Sequence, residues 1–219
     1  LDVKSDGSID LNQLKSIISS GPKTLVSLMY GNNEIGTINP IKEIAELTHE
    51  HGGLVHTDAV QVLGKFPIDV NDLGADYLSG TAHKIHGPKG IAFMYIKGDH
   101  MIPPYMLGGA QERNMRAGTE NIYGIAGFAK AFELALQDME SRKTDITELR
   151  KYFRKELLQA IPDVQINGPQ HDEGLYHILS VSFPSTPKNE MLIYNLDIHK
   201  ICSSAGSACS SGTNTGSHV

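Results

Sequence analysis

HGGLVHTDAVQVLGKFPIDVNDLGADYLSGTAHKIHGPKGIAFMYI, residues 51–96, carries three short apolar runs. Leu54 to His56, Ala75 to Leu78 and Gly90 to Ile96 each read as a strand, and none alternates polar with apolar residues. Ala59 to Leu63 and a proline-containing connection separate the first two, and a Gly/Pro-rich turn precedes the third. Upstream, Thr24 to Met29 (TLVSLM) reads as another buried strand, followed at once by the loop GNNEIG. Pro40 suits a first helical position, and Ile41, Ile44 and Leu47 then recur at helical spacing until His51-Gly52-Gly53 stops the helix. Leu11 to Ser19 reads as a short helix. Strands without alternation, interleaved with helices, are covered on both faces, which is the pattern of a mostly parallel sheet.

The second half changes character. Ile122 to Met139 is apolar enough for a long buried helix. Ile146 to Ile161 is amphipathic, with Leu149, Phe153, Leu157 and Ile161 on one side and charges on the other. Val164 to Ile166 and Ile178 to Phe183 read as strands, Lys188 to Leu196 as a helix and Ile198 to Cys202 as a strand. The expectation is therefore an α/β domain over 1–140 and part of a smaller α+β domain over 141–219, with the boundary near Met139 to Thr144.

With 19 Lys and Arg against 25 Asp and Glu, the formal net charge of −6 argues against direct nucleic-acid binding. At 40% hydrophobic and 20% charged residues, the 219-residue chain has the composition of a globular protein. No apolar run approaches the ~20 residues of a membrane helix, and no leader opens the sequence, so the cytoplasm is the default location. Leu1 without a Met and a Ser/Gly/Thr-rich finish at Val219 read as cut ends of something longer. Two cysteines, Cys202 and Cys209, are too few for a disulfide framework, and with His218 they match no zinc spacing, so no metal site is expected. Cys202, after Ile198 and Ile201, reads as a small buried hydrophobe. Cys209 lies in a Ser/Gly/Ala-rich loop.

Chemistry concentrates at Thr81-Ala82-His83-Lys84-Ile85-His86-Gly87-Pro88-Lys89-Gly90. A lysine just past a strand end, before a rigid Gly-Pro-Lys-Gly turn, points into the crevice where open α/β sheets bind ligands. Asp58 ends the preceding strand. Lysine and carboxylate on successive strand ends are what pyridoxal 5'-phosphate needs, an amine to hold it and an anion to keep its ring nitrogen protonated. Thr81 is a candidate phosphate donor. Taken singly, Lys84 is also readable as part of a solvated basic loop, Asp58 as a helix cap and Asn32 and Asn33 as turn formers.

NNEIG at 32–36, HTDAVQ at 56–61, HKIHGPKG at 83–90, GGAQERNMRAGTEN at 108–121 and SSAGSACSSG at 203–212 occur in one order. In that order they resemble the cysteine desulfurases, class-V aminotransferase relatives with the aspartate aminotransferase-like fold (fold type I) of pyridoxal-phosphate enzymes. The resemblance implies conversion of L-cysteine to L-alanine, with sulfur passed as a persulfide toward iron–sulfur cluster assembly or tRNA thiolation. It implies that Lys84 holds the cofactor covalently and moves protons, that Asp58 pairs with the ring nitrogen, and that Gln61 and Asn33 contact the ring hydroxyl region. Asn33 would also meet the substrate carboxylate. Thr81 and His83 would contact the phosphate, and Thr119 would reach the phosphate of a partner subunit's cofactor, which implies a homodimer. Cys209 would carry the persulfide to a sulfur-acceptor protein, an iron–sulfur scaffold or a tRNA-thiolation protein. Thr81-Ala82 stands where relatives often have Ser-Gly, Asn114 and Ala117 replace a Gly and a Ser, and TNTGSHV departs from the usual ending. An aminotransferase or β-lyase with Cys209 incidental, and a non-catalytic dimerising fragment, remain the alternatives.

Overall fold

The structure, a computed structural model, describes residues 1–98, 100–170, 173–186 and 189–206. The chain forms two compact units. One holds residues 1–2, 10–31 and 39–142, and the other 3–9, 32–38 and 143–219.

In the first unit a four-stranded sheet runs in the order β1 (Leu25–Met29), β2 (Leu54–Asp58), β3 (Tyr77–Thr81) and β4 (Ala92–Ile96). The first three strands are parallel, in a register that pairs Val26 with Val55 and Asp58 with Ser79. Their carboxyl ends therefore share one edge. Helix α1 (Leu11–Ser19) is capped by the Asp10 carboxylate, which accepts from the Asn12 amide at 2.8 Å. Helix α2 (Ile41–Glu50) buries Ile41, Ile44, Ala45 and Thr48, one face at i, i+3, i+4 and i+7. In β2, Val55 and Thr57 are buried and Leu54, His56 and Asp58 are half-buried, so His56 and Asp58 share the face opposite the fully buried pair. A four-residue helix, α3 (Val70–Leu73), absent from the sequence reading, leads into β3.

The core also holds a polar mismatch. Thr57 is fully buried, and its hydroxyl has no hydrogen-bond partner among the described residues. Valine has nearly the same shape without the unpaired group, so Thr57→Val is expected to raise stability by about 1 kcal/mol. A shift of the urea midpoint to higher concentration at constant m-value is the measurement; a fall would show that the hydroxyl is satisfied in solution.

Two turns complete the edge. After β2, the amides of Val62 and Leu63 bond the Ala59 carbonyl, and those of Lys65 and Phe66 bond the Val62 carbonyl. Gly64 lies at φ 68°, and a Cβ there would come within 3.0 Å of both Ala135 and Ile85. After β3, residues Ala82–Ile85 form a single 3₁₀ turn closed by His86 at φ 65°, with the His86 and Gly87 amides both directed at the Ala82 carbonyl. Helix α4 (Ile122–Gln137) supplies Phe128 and Ala135 to the cluster that buries Leu63, Ala82 and Ile85.

Several expectations need correction here. The third strand of the opening stretch, β4, runs antiparallel to β3, which a mostly parallel sheet allows, but its Phe93 and Met94 are exposed rather than buried. β1 buries only Val26. The helix read as buried over Ile122 to Met139 ends at Gln137 and exposes Ile122, Tyr123, Ile125, Leu134 and Leu136. The next helix, α5, spans Met139–Ala160 and buries no residue; Leu149, Tyr152, Phe153 and Leu158 of its apolar positions are exposed.

In the second unit β5 (Gln165–Asn167) and β6 (Ser180–Ser182) form an antiparallel pair. A 3₁₀ turn, Asn189–Met191, then leads into α6 (Leu192–Ile198); Lys188, read as the start of this helix, lies outside the described residues. The strand expected over Ile198 to Cys202 does not form. Lys200 takes a left-handed conformation at φ 60°, and the Ile201 amide bonds back to the Leu196 carbonyl, so the chain closes α6 with a helix-terminating turn. Cys202, expected to be buried, is exposed as a result.

Candidate active site

Parallel strands place their carboxyl ends about 4.8 Å apart, and the candidate site is built on that edge of the first unit. Asp58 is the last residue of β2. One carboxylate oxygen, Oδ1, accepts from the Val60 amide at 2.9 Å. Two residues earlier, His56 bridges three strands: Ser27 Oγ lies 2.8 Å from Nδ1 and Ser79 Oγ 2.7 Å from Nε2. This Ser27–His56–Ser79 ladder pins β1, β2 and β3 together on the face that carries Asp58. Sequence reasoning missed it, although a histidine two residues before a strand-end aspartate must share its face.

Lys84 follows β3 on the 3₁₀ turn. Its neighbours Ala82 and Ile85 are buried, while His83 is exposed and Lys84 half-buried. The turn is thus fastened by its apolar members and presents its basic ones. Thr81, the last residue of β3, directs its hydroxyl to the Ile91 carbonyl at 3.2 Å and lies 2.9 Å from His83 Nδ1. To donate to a phosphate, Thr81 must exchange the Ile91 carbonyl for a phosphate oxygen. Gln61 is half-buried on the turn after β2.

The remaining expected residues lie elsewhere. Thr119 is exposed in the same unit, beyond a segment in which Glu112, Arg113 and Asn114 all take positive φ, at 46°, 55° and 63°. Three consecutive left-handed residues other than glycine are strained, and asparagine, as at Asn114, is among the side chains that tolerate this conformation best. Arg116 Nη1 donates to the Gly118 carbonyl at 3.1 Å, and the Gly118 amide donates to Gln111 Oε1 at 3.1 Å. Asn33 belongs to the second unit, on a turn shaped by Asn32, whose side-chain oxygen accepts from the Glu34 and Ile35 amides at 2.8 and 3.0 Å. Cys209 lies outside the described residues.

Two more charged residues behind the edge went unread in the sequence. Lys65 Nζ lies 3.4 Å from the Lys84 carbonyl, and burial, with the charges of Lys84 and Arg142, lowers its pKa to about 8. Its burial depends on the turn packing under Ile85, and no local sequence pattern encodes that. Asp76, just before β3, is 3% exposed and accepts from the Val55 amide and His49 Nε2, both at 2.8 Å.

The donor set fits pyridoxal 5'-phosphate. An amine on a fixed turn and a carboxylate whose Oδ2 is not taken by the Val60 amide occupy neighbouring strand ends, with a hydroxyl between them in sequence. Among the described residues no group of His, Cys, Asp and Glu has the arrangement to hold a metal ion.

The family description Aminotransferase class-V matches residues 1–218. The chain is 43% identical over 219 residues to a cysteine desulfurase IscS of Dictyoglomus turgidum, matching all of this chain and 55% of that protein. It is 40% identical to a putative cysteine desulfurase IscS 1 of Bacillus subtilis, of which it matches 57%. Among solved structures, a NifS-like protein from Rickettsia africae superposes with a TM-score of 0.88 at 33% identity, over 94% of this chain and 57% of that one. The chain therefore spans about half the length of the curated relatives it matches.

Proposed function

We propose, for a chain that belongs to the class-V aminotransferase family and has the fold of NifS-like pyridoxal-phosphate enzymes, that the whole protein is a cysteine desulfurase. The observation that carries this reading is the placement of Asp58 and the Lys84 turn at neighbouring strand ends. When bound there, pyridoxal 5'-phosphate supplies an electron sink. Asp58, held by the Val60 amide through one oxygen, offers the other to the ring nitrogen and keeps a proton there. Lys84, half-buried, holds the cofactor and moves protons. His83 and Thr81 serve the phosphate, Gln61 and Asn33 the ring hydroxyl, and Asn33 also the substrate carboxylate.

Cys209 takes the sulfur. Its thiolate attacks the substrate sulfur, the carbon–sulfur bond of L-cysteine breaks, the carbon collects a proton, and the products are L-alanine and a persulfide on Cys209. An iron–sulfur scaffold or a tRNA-thiolation protein then accepts the sulfur. Exposure of Tyr105, Leu107, Ile122 and Tyr123 on the first unit supports a homodimer, in which Thr119 reaches the partner's phosphate. No described helix is long and apolar enough to cross a membrane, and we place the protein in the cytoplasm.

The test uses the full-length protein carrying Cys202→Ser, which removes the exposed bystander thiol. Alanine formation from L-cysteine should match that of the parent within about twofold, since an exposed surface change rarely matters. Thiol alkylation should then abolish it. L-cysteine consumption that survives alkylation and yields pyruvate or mercaptopyruvate in place of alanine would replace the desulfurase reading with a β-lyase or an aminotransferase.

A further inference from the structure

Lys65 is a cation in an unusual place. It follows Gly64, whose left-handed conformation lets the turn after Asp58 press against Ile85 and Ala135. Among the described residues, no carboxylate lies within ion-pair distance of Lys65 Nζ. The polar contact the structure gives the amine is the Lys84 carbonyl oxygen at 3.4 Å. A lysine on a soluble protein ordinarily keeps its head in water, and a desolvated one with a carbonyl for a partner points to a local task.

We propose that Lys65 is a positioning residue for Lys84, its amine held against the Lys84 carbonyl so that the turn bearing Lys84 is tied to the turn following Asp58. The inference rests on the reading of Lys84 as the cofactor-holding lysine. The contact is to the Lys84 backbone, so it constrains where the Lys84 side chain starts without engaging its amine. It also joins the two segments that carry Asp58 and Lys84, the residues that would hold the cofactor.

The charged groups that act on Lys65 are Lys84 on the turn and Arg142 on α5, the latter 3.4 Å from Asp138. Both are cations, and together with burial they bring the Lys65 pKa from its ordinary 10.5 to about 8. Below pH 8 the amine is charged in both the folded and the unfolded chain. Between about 8 and 10.5 the unfolded chain binds the extra proton, so stability rises with pH across that window. A lysine that merely covered apolar surface with its stem would give no such rise.

The experiment compares Lys65→Met and Lys65→Arg in the full-length protein. In the apoprotein, amide exchange at His86 and Gly87, the two amides that close the turn, should quicken about tenfold in Lys65→Met and stay near parent in Lys65→Arg, which keeps a charged donor. The rise in stability between pH 8 and 10.5 should vanish in Lys65→Met. Once loaded, Lys65→Met should release pyridoxal 5'-phosphate several-fold faster, by about the factor one charged hydrogen bond contributes. Unchanged exchange in Lys65→Met, or equal exchange in the two variants, overturns the proposal. If Lys65→Met does not fold, Lys65→Gln is read in the same exchange measurement with the same two outcomes. A parent protein that takes up no cofactor would overturn the reading of Lys84 alone, and amide exchange in the apoprotein would still decide the role of Lys65.

Discussion

Lys84→Ala in the full-length protein is expected to abolish covalent retention of pyridoxal 5'-phosphate and to lower alanine formation from L-cysteine by about a thousandfold or more. The effect is large because one side chain serves two tasks. In the proposed function its amine is both the attachment point and the proton carrier on the edge formed by β2 and β3. The loss should be chemical rather than structural. The 3₁₀ turn is fastened by Ala82 and Ile85, packed with Phe128 and Ala135, and by the His86 and Gly87 amides on the Ala82 carbonyl, none of which the substitution touches. The variant should therefore melt within about 0.5 kcal/mol of the parent, as half-exposed positions generally do. Two readouts check it: the visible absorbance of the bound cofactor after gel filtration, and its capture by borohydride reduction followed by peptide mapping. A reduced cofactor found on another lysine, Lys65 included, would refute the assignment.

What the sequence disclosed and what it withheld follow from the range of the interactions. β2 and β3 are legible because each is a short apolar run ending in a polar residue, and the ligand edge of a parallel sheet follows from that pattern. The sequence reading left the direction of β4 open, yet its cause was available. Ten residues separate Thr81 from Ala92, fewer than the dozen or more a parallel crossover requires, and the 3₁₀ turn among them is no crossover helix. Ile146 to Ile161 reads as amphipathic, but a stripe states only which side seeks cover; Leu149, Tyr152 and Phe153 are exposed in this structure. That Asp58 ends a strand and Lys84 closely follows the next could be read from the sequence. The settings of Lys65 and Asp76 could not, because a Gly-Lys pair in a turn and an Asp before a strand both look like ordinary solvated punctuation until tertiary packing half-buries the first and buries the second.

Asp76→Ala is expected to destabilise the protein by about 3 kcal/mol, toward the range seen when one partner of a buried charged pair is removed. The carboxylate joins three segments. Oδ2 accepts from the Val55 amide in β2 and from His49 in the last turn of α2, and Oδ1 lies 3.7 Å from His100 beyond β4. The Asp76 backbone adds two bonds, from its amide to the Val55 carbonyl and from the Lys97 amide to its own carbonyl, both 2.9 Å. Those two survive the substitution, and His49 and His100, each about a third exposed, can turn to water. The Val55 amide cannot, because Val55 is fully buried, so its unpaired N–H dominates the cost. Asp76→Asn separates the contributions. Its amide oxygen still accepts from Val55 and loses only the charge-assisted part, so it should cost about 1 kcal/mol, well short of the alanine variant. Urea midpoints at constant m-value measure both, and equal losses would mean that the charge facing the histidines, not the Val55 amide, holds the strand entry. Because β2 and β3 end in Asp58 and Thr81, a loss of this size also loosens the edge on which the cofactor would sit, so cofactor retention should fall in the same order, alanine below asparagine below parent.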